Sequence, residues 1–393
     1  MTPPLKLVIA GGKTGGHLFP GIAVAQAVTQ AAPDTQTLFV GTKAPFEVNT
    51  LSAYGYDHKD ISARPVKGGG IFNKIKGASA VGISLVQALF ILKKFKPDFV
   101  LGVGGFSSFA VLLAAKILGI PRAIQEQNAF PGMTNRMAAS FVQAIFTGFK
   151  ETRGFSDHPK TRFSGNPVRL VGPGQPLPPL KDSKTMDLDN PEGQTPGRDE
   201  KKEINEILPG AKATDFILLV TGGSQGARSI NNAVTQALPS LKKTKDIFIV
   251  HQTGIQDEAR IKEAYAAQGI RSLVKAFFQE MPQLQEIADL VICRSGAGTV
   301  SELCLKGLPS ILIPYPYATD DHQTWNARAL ADEGAAVFIP DADLKGENLL
   351  EEILDLKSDA PRRENMAKGA KKMARPRAAR TIADFILNTQ RDT

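Results

Sequence analysis

Apolar residues along this 393-residue chain gather in short runs, each closed by a glycine-rich loop and followed by a segment with helical spacing. The first run, "LKLVIA", reads as a β-strand. Beyond the next loop, "HLFPGIAVAQAVTQAAP" sets Ile22, Ala25, Val28 and Ala31 at intervals of three, one face of a helix. The theme returns in "TLFVGT", "DFVLGVGGFSSFAVLLAAKILG", "RAIQEQN" and "AIFTGF". Strands alternating with helices predict a parallel α/β sheet. The pattern halts at "SGNPVR", residues 164–169.

From Val171 to Thr214 the chain carries seven prolines and the charged run "GRDEKKE", with no apolar period before "INEIL". This composition predicts a linker with a loosely held insertion. Then "DFILLVTGGSQGARSINNAVTQAL" restarts the opening theme, and "DIFIVHQTG", "LVKAFF", "LVICRSGAGTVSELCLKG", "SILIPYP" and "AAVFI" continue it. Two similar α/β halves in tandem are expected: residues 1–169 and 215–375, joined by 170–214. Near the end, Ala378, Thr381, Ile382, Phe385 and Ile386 form an amphipathic closing helix over about 376–393.

Length supports this division, since 393 residues exceed what one core usually organises. With 42% hydrophobic and 22% charged residues, collagen-like and disordered classes are excluded. The formal charge of +8 favours an anionic partner, whether nucleic acid, anionic lipid or a phosphorylated substrate. Two cysteines, Cys293 and Cys304, exclude a disulfide framework and a Cys-rich metal site, and fit a reducing cytoplasm. The apolar start is too short for a secretory leader. The long uncharged stretch Phe99–Ala115 is broken by three glycines and two serines, so strand, loop and helix explain it better than a membrane span.

Chemistry concentrates in the loops. A glycine loop after a first strand exposes amides at a helix N-terminus, where the helix dipole favours phosphate. "GGKTGGH" nevertheless matches neither the dinucleotide nor the P-loop fingerprint, and a tight turn that only packs strand on helix is the plain alternative. "GGSQGA" is equally off-pattern. The strongest local signal is "CRSGAGTVSELCLKGLP". A buried strand ends at Cys293, Ser295 is placed to cap, and a helix begins near Ala297. Glu302 then lies roughly 10 Å from the helix start. A diphosphate on the helix end would leave its ribose beside Glu302, whose carboxylate can accept from both ribose hydroxyls; a surface glutamate on an ordinary helix is the alternative. In "YPYATDDHQTWNA", His322, Gln323 and Asn326 emerge at the carboxyl end of a parallel sheet, where open α/β folds bind ligands. The alternative there is a helix start capped by Asp320 or Asp321.

These blocks carry a resemblance. "GGKTGGHLFPG", "GVGGFSS", "QEQNAFPGMTNR", "SGNPVR", "GGSQGARSIN", "HQTG", "CRSGAGTVSEL" and "DDHQTWNA" follow the order and spacing of the MurG family over nearly the whole chain. That family comprises peptidoglycan N-acetylglucosaminyltransferases that convert lipid I to lipid II. The resemblance implies a GT-B fold, two Rossmann-like domains with parallel sheets facing across a cleft, the last helix returning to the first domain. It implies that Thr14, Gly15 and Gly16 face the donor sugar and phosphates, with Asn128 and Arg169 reaching the cleft from the same domain. It further implies that Ser224, the segment Ala297, Gly298, Thr299, Val300 and Ser301, then Glu302 and Gln323 hold UDP-N-acetylglucosamine, with Phe278 near the uracil. Three departures stand out: Lys13 where glycine or nothing is common, Gly298 where some members have leucine, and a long proline-rich insertion before Asp215.

The implied reaction is inverting transfer of N-acetylglucosamine to the C4 hydroxyl of the N-acetylmuramyl-(pentapeptide) pyrophosphoryl-undecaprenol acceptor, lipid I, giving lipid II. It needs a base near neutral pKa, which an imidazole at about 6.5 supplies. His17 is the candidate, Glu126 its rival, and a helix-start histidine that only caps is the alternative. Helix-end amides and Arg169 can meet the leaving-group charge, so neither a metal nor another cofactor is expected. "DLD" at 187–189 resembles a metal-binding D-x-D but lies in the polar insertion, "DAD" at 341–343 reads as a turn, and His58, His158 and His251 form no ligand constellation.

Between Ile61 and Pro97 there is no acidic residue. Arg64, Lys67, Lys74, Lys76, Lys93, Lys94 and Lys96 accompany Ile71, Phe72, Ile75, Leu89, Phe90 and Phe95. Ile71, Phe72, Lys74, Ile75 and Lys76 in particular form a candidate patch for an anionic membrane surface. With a lipid-linked acceptor, the expected location is the cytoplasmic face of the bacterial plasma membrane, bound peripherally. Expected partners are UDP-N-acetylglucosamine, lipid I, that membrane surface and cell-wall assembly proteins, with no nucleic acid. Competing readings are another GT-B protein acting on UDP-sugars, either a glycolipid glycosyltransferase or a UDP-N-acetylglucosamine 2-epimerase, and a non-catalytic UDP-sugar-binding scaffold.

Overall fold

The computed structural model describes residues 4–12, 14–62, 71–177 and 207–389, with the side chains of 71–81 left aside. The chain divides into two compact units, Met1–Met186 with Arg375–Thr393, and Asp187–Ala374. The returning C-terminal segment therefore belongs to the first unit. Most of the proline-rich insertion, including "DLD", lies outside the described residues.

The first unit holds seven parallel strands in the order β3-β2-β1-β4-β5-β6-β7. They are β1 (Lys6–Gly11), β2 (Gln36–Gly41), β3 (Asp57–Asp60), β4 (Phe99–Gly104), β5 (Arg122–Glu126), β6 (Ala144–Thr147) and β7 (Thr161–Phe163). The interior strands are continuous apolar runs, as burial on both faces demands. Helices α1 (Gly15–Ala31), α2 (Pro45–Ala53), α3 (Ile71–Phe95), α4 (Phe106–Ile117) and α5 (Met133–Ala138) connect them. Phe99–Ala115 is strand, loop and helix, as its glycines and serines predict.

The second unit has six parallel strands in the order β10-β9-β8-β11-β12-β13. These are β8 (Phe216–Thr221), β9 (Ile247–Gln252), β10 (Ser272–Lys275), β11 (Leu290–Cys293), β12 (Ser310–Leu312) and β13 (Ala336–Phe338). Their helices are α6 (Arg228–Leu241), α7 (Glu258–Gln268), α8 (Met281–Ile287), α9 (Ala297–Lys306), α10 (His322–Asp332), α11 (Gly346–Ser358) and α12 (Ala360–Met373). Both units follow the doubly wound order in which the sheet is built outward in two directions. The reversal falls between β1 and β4 in one and between β8 and β11 in the other, opening a crevice at the carboxyl ends of those strands.

The closing helix, α13 (Ala378–Thr389), buries Ile382 and Ile386 completely in the core cluster formed with β1, β4 and α1. Each such side chain contributes about 1.5–3 kcal/mol by burial. Phe385 adds edge-to-face contacts with Phe99 and Phe146. The amphipathic face read from the sequence thus has its partner within the first unit.

Candidate functional site

The crevice of the first unit is lined by three strand ends. At β1, Gly11 adopts φ +112°, and a Cβ there would lie 2.0 Å from the Gly104 carbonyl oxygen at the end of β4. Only glycine permits that approach. Thr14 is the N-cap residue of α1, but its hydroxyl makes no capping bond. Its carbonyl accepts from the His17 and Leu18 amides at 3.1 and 2.9 Å. The amides of Gly15 and Gly16 come before these first internal bonds, at the positive end of the helix dipole.

His17 is half-buried one turn in, and its ring lies against Gly104, whose missing side chain makes the room. Its Nδ1 is 3.0 Å from Oε1 of Gln127, just beyond β5. Gln127 is buried, and its Nε2 donates to the Val103 carbonyl at 2.8 Å and to Oε1 of Gln125. Gln125 in turn donates to Oδ1 of Asn166 at 3.2 Å. His17 is therefore the outermost member of a buried polar chain that crosses the sheet.

Glu126 has a different task. It is 1% exposed, and its carboxylate accepts from the Asn128 amide and side chain, the Gly132 amide, and Asn135 Nδ2 at 2.8–3.2 Å. Both oxygens are engaged in shaping the 126–135 turn, which argues against Glu126 as the base. Asn128, expected to reach toward ligand, gives its amide nitrogen to Glu126. Arg169 is half-buried, donates to the Tyr54 hydroxyl at 2.8 Å and stacks on Phe19, 3.9 Å from the ring centroid. Phe19's ring borders Gly15, so the guanidinium stands by the first turn of α1.

In the second unit, β11 delivers the chain to α9. The N-cap residue is Gly296, not Ser295, whose hydroxyl donates to the Gln323 carbonyl at 2.8 Å. With no side-chain cap and no acidic residue in the first turn, the leading amides of α9 remain open to an anion. At Gly298 a Cβ would meet nothing within 4 Å, so the glycine leaves this surface bare. Ala297 and Val300 are buried and can offer only backbone; Ser301 donates back to the Ala297 carbonyl at 2.8 Å. Glu302 is half-buried, 3.5 Å from the Gln285 amide nitrogen. Burial, and then the charge of Glu302, push the Cys293 thiol up to about 12, which makes it an inert core residue.

Gln323 accepts the Tyr315 amide proton at 2.9 Å through Oε1, so its NH2 end points the other way along the amide. Preceding it, Asp320 and Asp321 both take positive φ, 53° and 52°. Two consecutive non-glycine residues in this region store strain of the kind that collects at ligand-binding turns. Asp321 occupies the N-cap position of α10 without a capping bond, and Oδ1 accepts instead from the Thr324 hydroxyl. Ser224 is exposed in the loop after β8.

Phe278, expected near the uracil, has a ring that is 2% exposed, and its amide donates to Gln252 Oε1 at 2.9 Å. The exposed ring at this strand end is Phe277.

Family models for the N-terminal and C-terminal domains of glycosyltransferase family 28 match residues 7–147 and 217–382. The chain belongs to glycosyltransferase family 28. It is 39% identical over 385 residues to the UDP-N-acetylglucosamine--N-acetylmuramyl-(pentapeptide) pyrophosphoryl-undecaprenol N-acetylglucosamine transferase of Myxococcus xanthus, covering 98% of this chain and 93% of that one. It is 40% identical to the enzyme of the same name from Pelobacter propionicus, with 98% and 99% covered. The crystal structure of Acinetobacter baumannii MurG superposes with a TM-score of 0.70 at 26% identity, over 98% of this chain and 100% of that one. A UDP-GlcNAc 2-epimerase from Neisseria meningitidis shares the fold alone, at a TM-score of 0.64 and 15% identity.

As a family-28 glycosyltransferase the chain has its GT-B architecture in two doubly wound units. Several supporting groups escaped the motif reading. Gln127 and Gly104 position His17, and both sit inside quoted blocks, at strand ends. Gln252 bridges the Thr221 hydroxyl, the Gly223 carbonyl and the Phe278 amide. Asp341, read as part of a turn, indeed lies in one, yet it also pairs with Arg294 beside the start of α9 and accepts from Ser229 at 2.6 Å. Among the described residues no group of three or more His, Cys, Asp or Glu could hold a metal ion.

His251 is a structural residue. Fully buried, it joins the Tyr265 hydroxyl and Oδ1 of Asn231, each at 3.1 Å, and burial lowers its pKa to about 3 despite the nearby charge of Asp257.

Proposed function

We propose that this chain transfers N-acetylglucosamine from UDP-N-acetylglucosamine to lipid I, with inversion at the anomeric carbon, to give lipid II. The observation that carries the reading is the pairing of two unlike crevices in one chain. One presents a half-buried imidazole beside open helix amides; the other presents open helix amides followed by a carboxylate two turns on. The second suits a nucleoside diphosphate, with phosphates on the α9 amides, ribose hydroxyls donating to Glu302, and the Gln323 NH2 donating to a sugar hydroxyl oxygen. The first suits an acceptor with its own diphosphate, held by the Gly15 and Gly16 amides and the positive charge of Arg169.

In the reaction His17 takes the proton of the acceptor's C4 hydroxyl. That oxygen forms a bond to C1 of the donor sugar as the C1–O bond to the β-phosphate breaks, and UDP leaves with the bonding pair. Amides at the start of α9 stabilise the charge that develops on the phosphate. His17→Ala is expected to lower kcat by roughly 10²–10⁴. The decisive assay is UDP release and disaccharide product from purified protein, with and without a short-chain lipid I analogue. Product that depends on the acceptor supports the transferase. Donor consumption without acceptor would point instead to an epimerase or hydrolase, and UDP binding without turnover to a scaffold.

A lipid-linked acceptor requires the enzyme to work at a bilayer surface, on its cytoplasmic face. No helix among the described residues is long and apolar enough to cross a membrane. The residues Ile71, Phe72, Lys74, Ile75 and Lys76 begin α3, but their side chains lie outside the described residues. Further along the same helix, Ile83, Val86 and Phe90 are 56–70% exposed at spacings of three and four, with Lys93, Lys94 and Lys96 following. An exposed apolar stripe beside lysines is suited to an anionic bilayer surface.

A further inference from the structure

We infer that Gln127 is a positioning residue that fixes the tautomer of His17, holding the proton on Nδ1 and leaving Nε2 as the only basic nitrogen. The inference rests on the reading of His17 as the base for its functional consequence, but not for its geometry. A neutral imidazole carries its proton on one nitrogen, and the hydrogen bond made by the other decides which.

The contact between His17 Nδ1 and Gln127 Oε1 could in principle be reversed, because the oxygen and nitrogen of an amide are nearly interchangeable in shape. The other end of Gln127 removes that freedom. Its Nε2 faces the Val103 carbonyl at 2.8 Å and the Gln125 carbonyl at 3.4 Å, and neither of these can donate. Turning the amide over would press Oε1 against two backbone oxygens in a site that is 1% exposed. Gln127 must therefore present its oxygen to His17, and an oxygen there requires Nδ1–H.

Gln125 reinforces the same sense. Its Oε1 accepts from Gln127 Nε2, and its own Nε2 donates to Oδ1 of Asn166. All donors in the chain run in one direction, away from the histidine. The direction is set by the carbonyl of Val103, one residue before Gly104, which makes room for the ring. One strand end thus fixes both the position and the protonation of the imidazole.

The test begins with nitrogen NMR of histidine-labelled protein, with His17 assigned by its loss in His17→Ala. Imidazole in water favours the Nε2–H form, so an Nδ1–H signature for the neutral His17 ring is the expected result. Finding Nε2–H would overturn the proposal, whatever reaction the protein catalyses. Gln127→Met, which keeps length and loses the acceptor, should restore the Nε2–H form and lower kcat by about tenfold or more, with the KM for the donor unchanged. A Met variant that keeps both the Nδ1–H form and full turnover would also overturn it. Where the Met variant fails to fold, the wild-type spectrum still decides. If the tautomer is as expected but His17→Ala keeps full turnover, the reading of His17 as the base fails while the positioning stands.

Discussion

Gly104→Ala is the substitution that most directly tests whether the end of β4 is built around His17. Gly104 has φ +99°, outside the range an L-residue adopts freely, which alone costs about 1–3 kcal/mol. A Cβ at this position would lie 2.9 Å from both Cε1 and Nδ1 of the His17 ring. Contacts under 3.0 Å force a displacement, and the backbone of Gly104 is held on its other side by Gly11. The ring must therefore yield, and a rotation large enough to clear a methyl group breaks its 3.0 Å contact with Gln127. Two separate losses follow. Thermal stability should drop by roughly 2–12 °C, taking about 2–4 °C per kcal/mol for a unit of this size. Turnover should fall by at least about 10², the lower end of a general base's contribution, while affinity for UDP, measured by calorimetry, stays within about twofold of wild type, under about 0.5 kcal/mol, because the proposed UDP site is built from the second unit. A Gly104→Ala enzyme with normal melting temperature and full turnover would refute the reasoning. So would a loss of UDP affinity equal to the loss of turnover.

Glu302→Ala should weaken UDP binding roughly 10–100-fold, the worth of hydrogen bonds to a charged group. It should also erase discrimination between UDP and its 2′-deoxy counterpart, and retained preference for the ribonucleotide would remove Glu302 from the ribose. For His251, the folded-state pKa is depressed, so the native protein keeps it neutral while the unfolded chain takes up a proton below about pH 6.5. Stability should accordingly fall by up to about 1.4 kcal/mol per pH unit between roughly pH 6.5 and 5, above the range where carboxylates dominate. His251→Gln should flatten that limb in denaturant titrations; an unchanged slope would contradict the assignment. Replacing Val86 and Phe90 by serine should reduce binding to vesicles of anionic lipid without lowering the melting temperature, because both side chains are already exposed. Undiminished binding would take this face of α3 out of contact with the bilayer.

The sequence disclosed the strands best where burial on both faces made them uniformly apolar, as in Phe216–Thr221 and Ile247–Gln252. It was silent on β3, whose residues "DHKD" form an exposed edge with no apolar signal, and on the short β7. The site followed the same logic. Glycine loops, Glu302 and His17 are local features of a strand end, and motif reading reaches them. Capping by Ser295 depended on which way a side chain turns. That choice is set by a partner far away in sequence, Gln323. Glu126 shows the same limit from the other side, since only the positions of Gly132 and Asn135 reveal that its carboxylate is already fully engaged.

The two crevices also show why one strand order can serve two chemistries. Each places a helix N-terminus at the reversal point of its sheet, a feature suited to an anion in either unit. What distinguishes them is the polar group behind the amides. In the second unit Arg294 is bound to Asp341 and to the Ile313 and Pro314 carbonyls, so the positive charge near α9 is already neutralised and tied to the loop after β12. The helix amides are then left as the donors for a leaving diphosphate, which can depart without breaking a direct ion pair. In the first unit the equivalent depth is occupied by neutral amides, Gln127 and Gln125, that carry no charge but impose a direction on every proton. A charged group in their place would attract or repel a proton on the His17 ring. Neutral, directional side chains orient the imidazole without placing a charge against it.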